Sequence, residues 1–182
     1  MSMEVYRFFI GTFRCMVVLD GTNAYLHPAQ YFFANAPEEE LRPDLRSYNL
    51  APEIWTEYIS PYSSILIETG VTRVLVDTGA GRLTPTTGNL LSSLRSAGID
   101  PEDFDTVILT HAHGDHIGNN LDTDGEPAFP NARYVMAQAE WDFWTTDPDL
   151  SQLLIPLEKK QMCVQMAQDN LLPLADRTKF LP

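Results

Sequence analysis

Three of the chain's four histidines fall between positions 111 and 116, in the stretch TVILTHAHGDHIGNN, with an aspartate among them. Successive side chains of an extended segment alternate sides, so His111 and His113 leave the end of an apolar strand pointing the same way. Gly114 permits a sharp turn, and Asp115 and His116 then present from that turn into nearly the same space. The result is two pairs of donors, His111 with His113 and Asp115 with His116. Imidazole nitrogen and carboxylate oxygen are ligands that zinc takes, and they also suit manganese, iron or cobalt. A lone loop histidine would not carry this reading. Four ligand-type residues within six positions, straight after an apolar strand, do.

Other elements must position those residues. FDTVILTHAH predicts a buried strand over 105–110 that runs directly into the histidines. Ahead of it, SSILIETGVTRVLVDTGAG predicts a hairpin, with strands 63–68 and 72–77 about the turn Glu68-Thr69-Gly70-Val71. TTGNLLSSLRSAGID places leucines at 90, 91 and 94 before Ala97 and Gly98, which predicts a helix with an apolar stripe and a glycine stop. Residues 5–10 and 13–19 read as paired strands broken at Gly11-Thr12. Asp20-Gly21-Thr22-Asn23 reads as a turn, and residues 24–36 as irregular and aromatic. Pro37 and three glutamates start a short helix expected to stop or break near Pro43, followed by a Pro-punctuated loop over 47–61. Beyond the histidines come a strand over 133–137, a helix beginning at AEWDFW, and a helical region over 151–170 with Pro156 near a boundary. Helical spacing puts Trp141 and Trp144 on nearly one face, which favours core packing. Hairpins followed by alternating strands and helices indicate an α/β (α+β) class, with sheets covered by helices on their outer faces.

A formal charge of −13 speaks against nucleic acid and anionic membranes as partners, because both demand a cationic surface. No stretch approaches the roughly 18 apolar residues of a membrane span. The first 21 residues have apolar runs interrupted by Arg7 and Arg14, with no cationic leader ahead of them. Cys15 and Cys163 fit no CxxC pattern and read as buried thiols in a reducing compartment, so a cytoplasmic location is expected. The length suits a single domain, 1–182.

HAHGDH is an H-x-H-x-D-H motif, and with VLVDTGAG upstream the chain resembles the metallo-beta-lactamase superfamily over about residues 60–140. The resemblance implies an αββα sandwich with metals at one edge between two sheets. It implies two zinc ions in a complete site, one held by His111 and His113 and the other by Asp115 and His116. It also implies that Asp77, at its strand end, supports the ligands from behind, although an Asp that merely shapes the turn before Gly79 reads equally well. The implied activity is hydrolysis by a metal-activated hydroxide, with Asp115 anchoring a metal and able to take or pass a proton.

That pattern calls for further ligands downstream, yet no histidine follows from Ile117 to Pro182. His27 lies upstream in an aromatic loop, where a surface or packing role is favoured, and Asp169 and Asp176 sit in no segment that matches the family. The expectation is therefore an incomplete domain, the N-terminal portion of a longer hydrolase, whose open sheet edges favour a homodimer. YFFANAPEEEL resembles the lactonase and organophosphate-hydrolase branch. This makes a lactone or related ester the expected small-molecule substrate, with Phe32 and Phe33 either on an apolar pocket wall or in the core. A glyoxalase II-like thioester hydrolase is the enzymatic alternative, and a catalytically dead domain acting through binding is the other.

Overall fold

Strand-forming residues alternate along most of the first half of the chain, and in the computed structural model, which describes residues 5–51 and 53–182, they build one seven-stranded sheet. Its strands are β1 (Val5–Ile10), β2 (Phe13–Leu26), β3 (Glu57–Glu68), β4 (Arg73–Val76), β5 (Thr106–Ile108), β6 (Arg133–Ala137) and β7 (Thr178–Leu181). They lie in the sheet in chain order. The pairings from β1 to β4 are antiparallel, and those from β4 to β7 are parallel. Parallel neighbours need crossovers, and these carry helices α3 (Leu90–Ser96), α4 (Gly114–Ile117), α5 (Gln138–Thr145) and α6 (Leu157–Leu171). Two earlier helices, α1 (Pro28–Phe32) and α2 (Glu38–Ser47), fill the excursion between β2 and β3.

One face of the sheet makes the core. Met16, Leu66, Leu75, Val107 and Tyr134 form a row straight across five strands. All five are buried, and they cluster with Leu90 and Leu94 of α3, Ile117 of α4, Trp144 of α5 and Leu171 of α6. Each fully buried aliphatic side chain of this kind contributes about 1.5–3 kcal/mol of transfer free energy. The opposite face also carries an apolar row, Val17, Ile65, Val76, Ile108 and Val135. No member of that row is buried. Helices α3 to α6 thus cover one face of a single sheet, which is one α-and-β half of the expected sandwich.

Both expected hairpins form, β1 with β2 and β3 with β4. Other expectations need correction. Asp20 to Asn23 is not a turn. It lies inside the 14-residue β2, where the register slips between Leu19 and Gly21. Residues 24–36 are not irregular throughout, because β2 runs on to Leu26 and α1 follows. The helix after Pro37 does not stop at Pro43 but continues to Ser47 with Pro43 inside it. A proline at the sixth residue of a helix removes one backbone donor from the ladder, and here the flanking turns persist. The segment 47–61 is not all loop, since β3 starts at Glu57, and Pro52 lies outside the described residues, as do residues 1–4. The strand before the histidines is shorter than expected, Thr106–Ile108. Helix α6 begins after Pro156, the expected boundary. Cys15 is buried, Cys163 is partly so, and both are free thiols. Among the described residues no helix is long and apolar enough to cross a membrane.

Candidate metal centre

The parallel strands β4 and β5 end side by side, Val76 opposite Ile108, and the ligand-type residues follow at their carboxyl ends. This is where open α/β sheets place ligands, because loops leaving neighbouring strands there splay apart. Asp77 comes directly after β4. Its backbone turns at φ 58°, the left-handed region that Asp tolerates better than most side chains, and its N–H donates to Ile108 O at 2.8 Å.

Asp77 is a junction. Its Oδ1 accepts from Thr110 N at 2.8 Å and from the Thr110 hydroxyl at 3.0 Å. Its Oδ2 lies 2.8 Å from His116 Nδ1. A carboxylate oxygen there requires the proton on Nδ1, which leaves Nε2 as the free lone pair, 3.5 Å from Asp115 Oδ2. The two alternatives for Asp77 therefore coincide in one residue that both shapes the turn and orients an imidazole. Thr110, which the sequence reading passed over, also lies 3.1 Å from His111 Nδ1 through its hydroxyl.

The three imidazoles come together. The His111 ring centroid is 4.7 Å from that of His113 and 3.9 Å from that of His116. Burial, with the nearby His116 and His113 rings, pushes the His111 imidazole below its ordinary pKa. The hydrogen bond to Asp77, aided by the Asp115 charge, raises that of His116. The Asp77 and Asp115 charges partly oppose the lowering at His111, and His113 is the most exposed of the three. Among the described residues no group of three or more His, Cys, Asp or Glu side chains is already arranged to hold a metal ion. The donor chemistry nonetheless fits a divalent cation, with three imidazoles and two carboxylates within one small volume and one ring already fixed in its tautomer.

Supports reach the motif from behind. Glu140 on α5 accepts both Ala112 N and Trp144 Nε1 at 2.8 Å, and the Trp144 ring stands edge-on to His113 at 5.7 Å. Trp144 is thus core, as expected, and also a wall of the site. Glu140 sits three residues after a strand with no local pattern to mark it, so only the fold reveals its role. Gly114 is where the extended chain at His113 turns into α4, and it does so without a positive φ. A side chain there would meet Met166 Sδ of α6 at 2.0 Å, so the glycine provides room for α6 to pack against the motif.

The aromatic segment lies beside this cluster. Asp115 acts electrostatically on the phenols of Tyr31 and Tyr62. Tyr62 is buried and shares a 2.6 Å hydrogen bond with the Tyr25 hydroxyl, and burial pushes its pKa upward. Phe32 packs against Tyr25, Tyr31 and Tyr58. Phe32 and Phe33 are 45% and 41% exposed, so neither is core. Both line a groove of about 460 Å³ with Tyr31, Leu153, Leu154 and Ile155. His27 is exposed at the start of α1 with a left-handed backbone, and its N–H donates to Thr56 O at 2.9 Å.

A model of the metallo-beta-lactamase superfamily matches residues 58–160, more than half of the chain. A curated mouse (Mus musculus) protein, metallo-beta-lactamase domain-containing protein 1, is 48% identical over 46 residues, 25% of this chain and 16% of that protein. Among solved structures, AidC, a dizinc quorum-quenching lactonase in complex with a product, superposes with a TM-score of 0.82 at 25% identity, over 98% of this chain and 61% of its own. The hydrolase AbOPH superposes with a TM-score of 0.75 at 27% identity, over 97% of this chain and 60% of its own. The chain thus spans about three-fifths of the length of these solved relatives. With the HAHGDH motif at the carboxyl end of β5 and Asp77 at that of β4, this likeness has one reading: the chain belongs to the metallo-beta-lactamase superfamily.

Proposed function

We propose that this chain carries the first set of ligands of a metal-dependent hydrolase acting on a lactone or related ester. The observation that supports it best is the His111, His113, Asp115 and His116 cluster with His116 held through Nδ1 by Asp77. His111 and His113 would hold one zinc ion, and Asp115 and His116 a second, with manganese, iron or cobalt as chemically acceptable substitutes. When bound, such ions supply Lewis acidity and bring the pKa of water down toward neutrality. The chain's own residues do the rest. Asp77 keeps His116 in one tautomer, and Trp144 and Glu140 hold the 111–113 backbone against the core. Asp115, partly exposed, would take or return a proton. The groove along Phe32 and Phe33 offers apolar surface to the non-reacting part of a substrate. A lactone is preferred to a thioester because AidC, a lactonase, superposes on nearly the whole of this chain. A cytoplasmic location goes with this proposal.

The test is zinc uptake by the chain and by His113→Ala in equilibrium dialysis, with hydrolysis of an N-acyl homoserine lactone and of a glutathione thioester followed in parallel. Uptake lost in the variant, with lactone turnover exceeding thioester turnover, is the expected result. Equal zinc content in both proteins would refute the ligand assignment, and turnover of the thioester alone would refute the substrate class.

A further inference from the structure

The bulge in β2 aims an acidic side chain at the loop that carries Asp77. Leu19 pairs with Ser63 and Gly21 with Tyr62, so Asp20 is the extra residue. Bulges recur beside functional sites because they redirect one side chain. Asp20 is fully buried, at 0% exposure. None of the ion pairs among the described residues includes it. A buried carboxylate without a cation survives only if N–H donors replace the water it gives up. Four do. Oδ1 accepts from Leu90 N at 2.8 Å and Asn119 Nδ2 at 3.0 Å. Oδ2 accepts from Ala80 N at 2.9 Å and Gly88 N at 3.1 Å.

These donors come from both sides of the candidate site. Asn119 also donates to Thr78 O at 2.5 Å, Thr78 N donates to His116 O at 2.7 Å, and Gly118 N donates to Gly79 O at 2.8 Å. The loop after Asp77 is thereby fastened to the segment after His116. The fit leaves no slack, since a side chain at Gly79 would come within 2.7 Å of Asp20 Cβ and Cγ. Hydrophobic packing asks for none of this, because the core row of β2 already holds Met16 and Val18.

We propose that Asp20 is a positioning residue for the metal centre: it clamps the loop after Asp77 to Asn119, so that Asp77 meets His116 Nδ1 and leaves Nε2 free for a metal. The purpose of the clamp rests on the metal reading above, but its action on His116 does not.

The experiment uses the metal-free full chain. Long-range proton–nitrogen correlation through the carbon-bound ring protons reads the His116 tautomer, at about pH 9, well above the ordinary imidazole pKa of about 6.5. Wild type is expected in the Nδ1–H form alone. Asp20→Asn places an amide N–H against donors and should lose that single form, giving a mixture with Nε2–H. Asn119→Ala cuts the link while leaving Asp20 its three backbone donors and should do the same, and it decides the matter if Asp20→Asn does not fold. Leu94→Ala, a core loss in α3 that touches neither loop, should lower the melting temperature and keep the wild-type tautomer. The proposal is overturned if the folded clamp variants retain the Nδ1–H form, if Leu94→Ala shifts it equally, or if wild type holds the other tautomer. Zinc added afterwards separates the two readings. Tautomers behaving as expected with no zinc uptake would overturn the metal centre and leave the clamp standing.

Discussion

Gly114→Ala, made with and without Met166, distinguishes two reasons for a glycine among metal ligands. The backbone at Gly114 is not left-handed, so alanine meets no conformational barrier there. In a helix, alanine gains up to about 1 kcal/mol over glycine. The obstacle is space. The new methyl would lie 2.0 Å from Met166 Sδ, against an ordinary contact of roughly 3.5–4 Å. The thioether must swing aside by about 1.5 Å, or α4 must tilt off α6, and overpacking of this kind costs about 1–3 kcal/mol. The net expectation in wild type is a loss of up to about 2 kcal/mol. In a Met166→Ala background the clash is gone, and the same change should be neutral or stabilising by up to about 1 kcal/mol. Urea unfolding of the four metal-free proteins, with unchanged m-values, measures both effects and their coupling. A coupling below about 0.5 kcal/mol, the scatter of independent sites, would refute the claim that Gly114 exists to admit Met166.

Three further outcomes follow from the same contacts. Glu140→Ala strands the Ala112 and Trp144 N–H groups and should cost about 2–4 kcal/mol, read by urea unfolding; a change under about 0.5 kcal/mol would remove Glu140 from the support of the motif. Tyr62→Phe deprives Tyr25 of its hydroxyl partner and should cost about 1 kcal/mol by the same assay, with a gain in stability counting against the bond. For the metal-free chain, the His116 pKa is raised in the folded state by Asp77, so its protonated form is stabilised by folding. The stability difference between wild type and His116→Gln should therefore be fully present below the unfolded imidazole value of about 6.5 and be lost as pH rises through the higher folded value. Melting temperatures that diverge in the opposite direction would reverse the assigned direction.

What sequence alone could reveal was local. The H-x-H-x-D-H spacing marks four donors because they lie within one turn of chain, and both hairpins are legible because alternation and turn residues act over a few positions. The supporting role of Asp77 was implied only by the family resemblance, beside an equal reading as a turn former, and its hydrogen bonds to His116 and Thr110 span more than thirty residues and left no sequence trace. Asp20 was misread for a physical reason. Asp-Gly-Thr-Asn has turn chemistry, and a bulge uses the same residues to redirect a side chain without ending the strand.

Helix α2 shows the opposite limit. A proline predicts a break, but here three acidic residues in the first turn and a buried Leu45 accompany a helix that continues past it. Sequence by itself determined which residues can bind a metal and where both hairpins form, because ligand chemistry and side-chain alternation are properties of near neighbours. Tertiary structure alone decided how those ligands are held, through Asp20, Asn119, Glu140 and Met166. Those contacts join β2, α5 and α6 to a loop far away in the chain, and their partners are chosen by packing rather than by spacing.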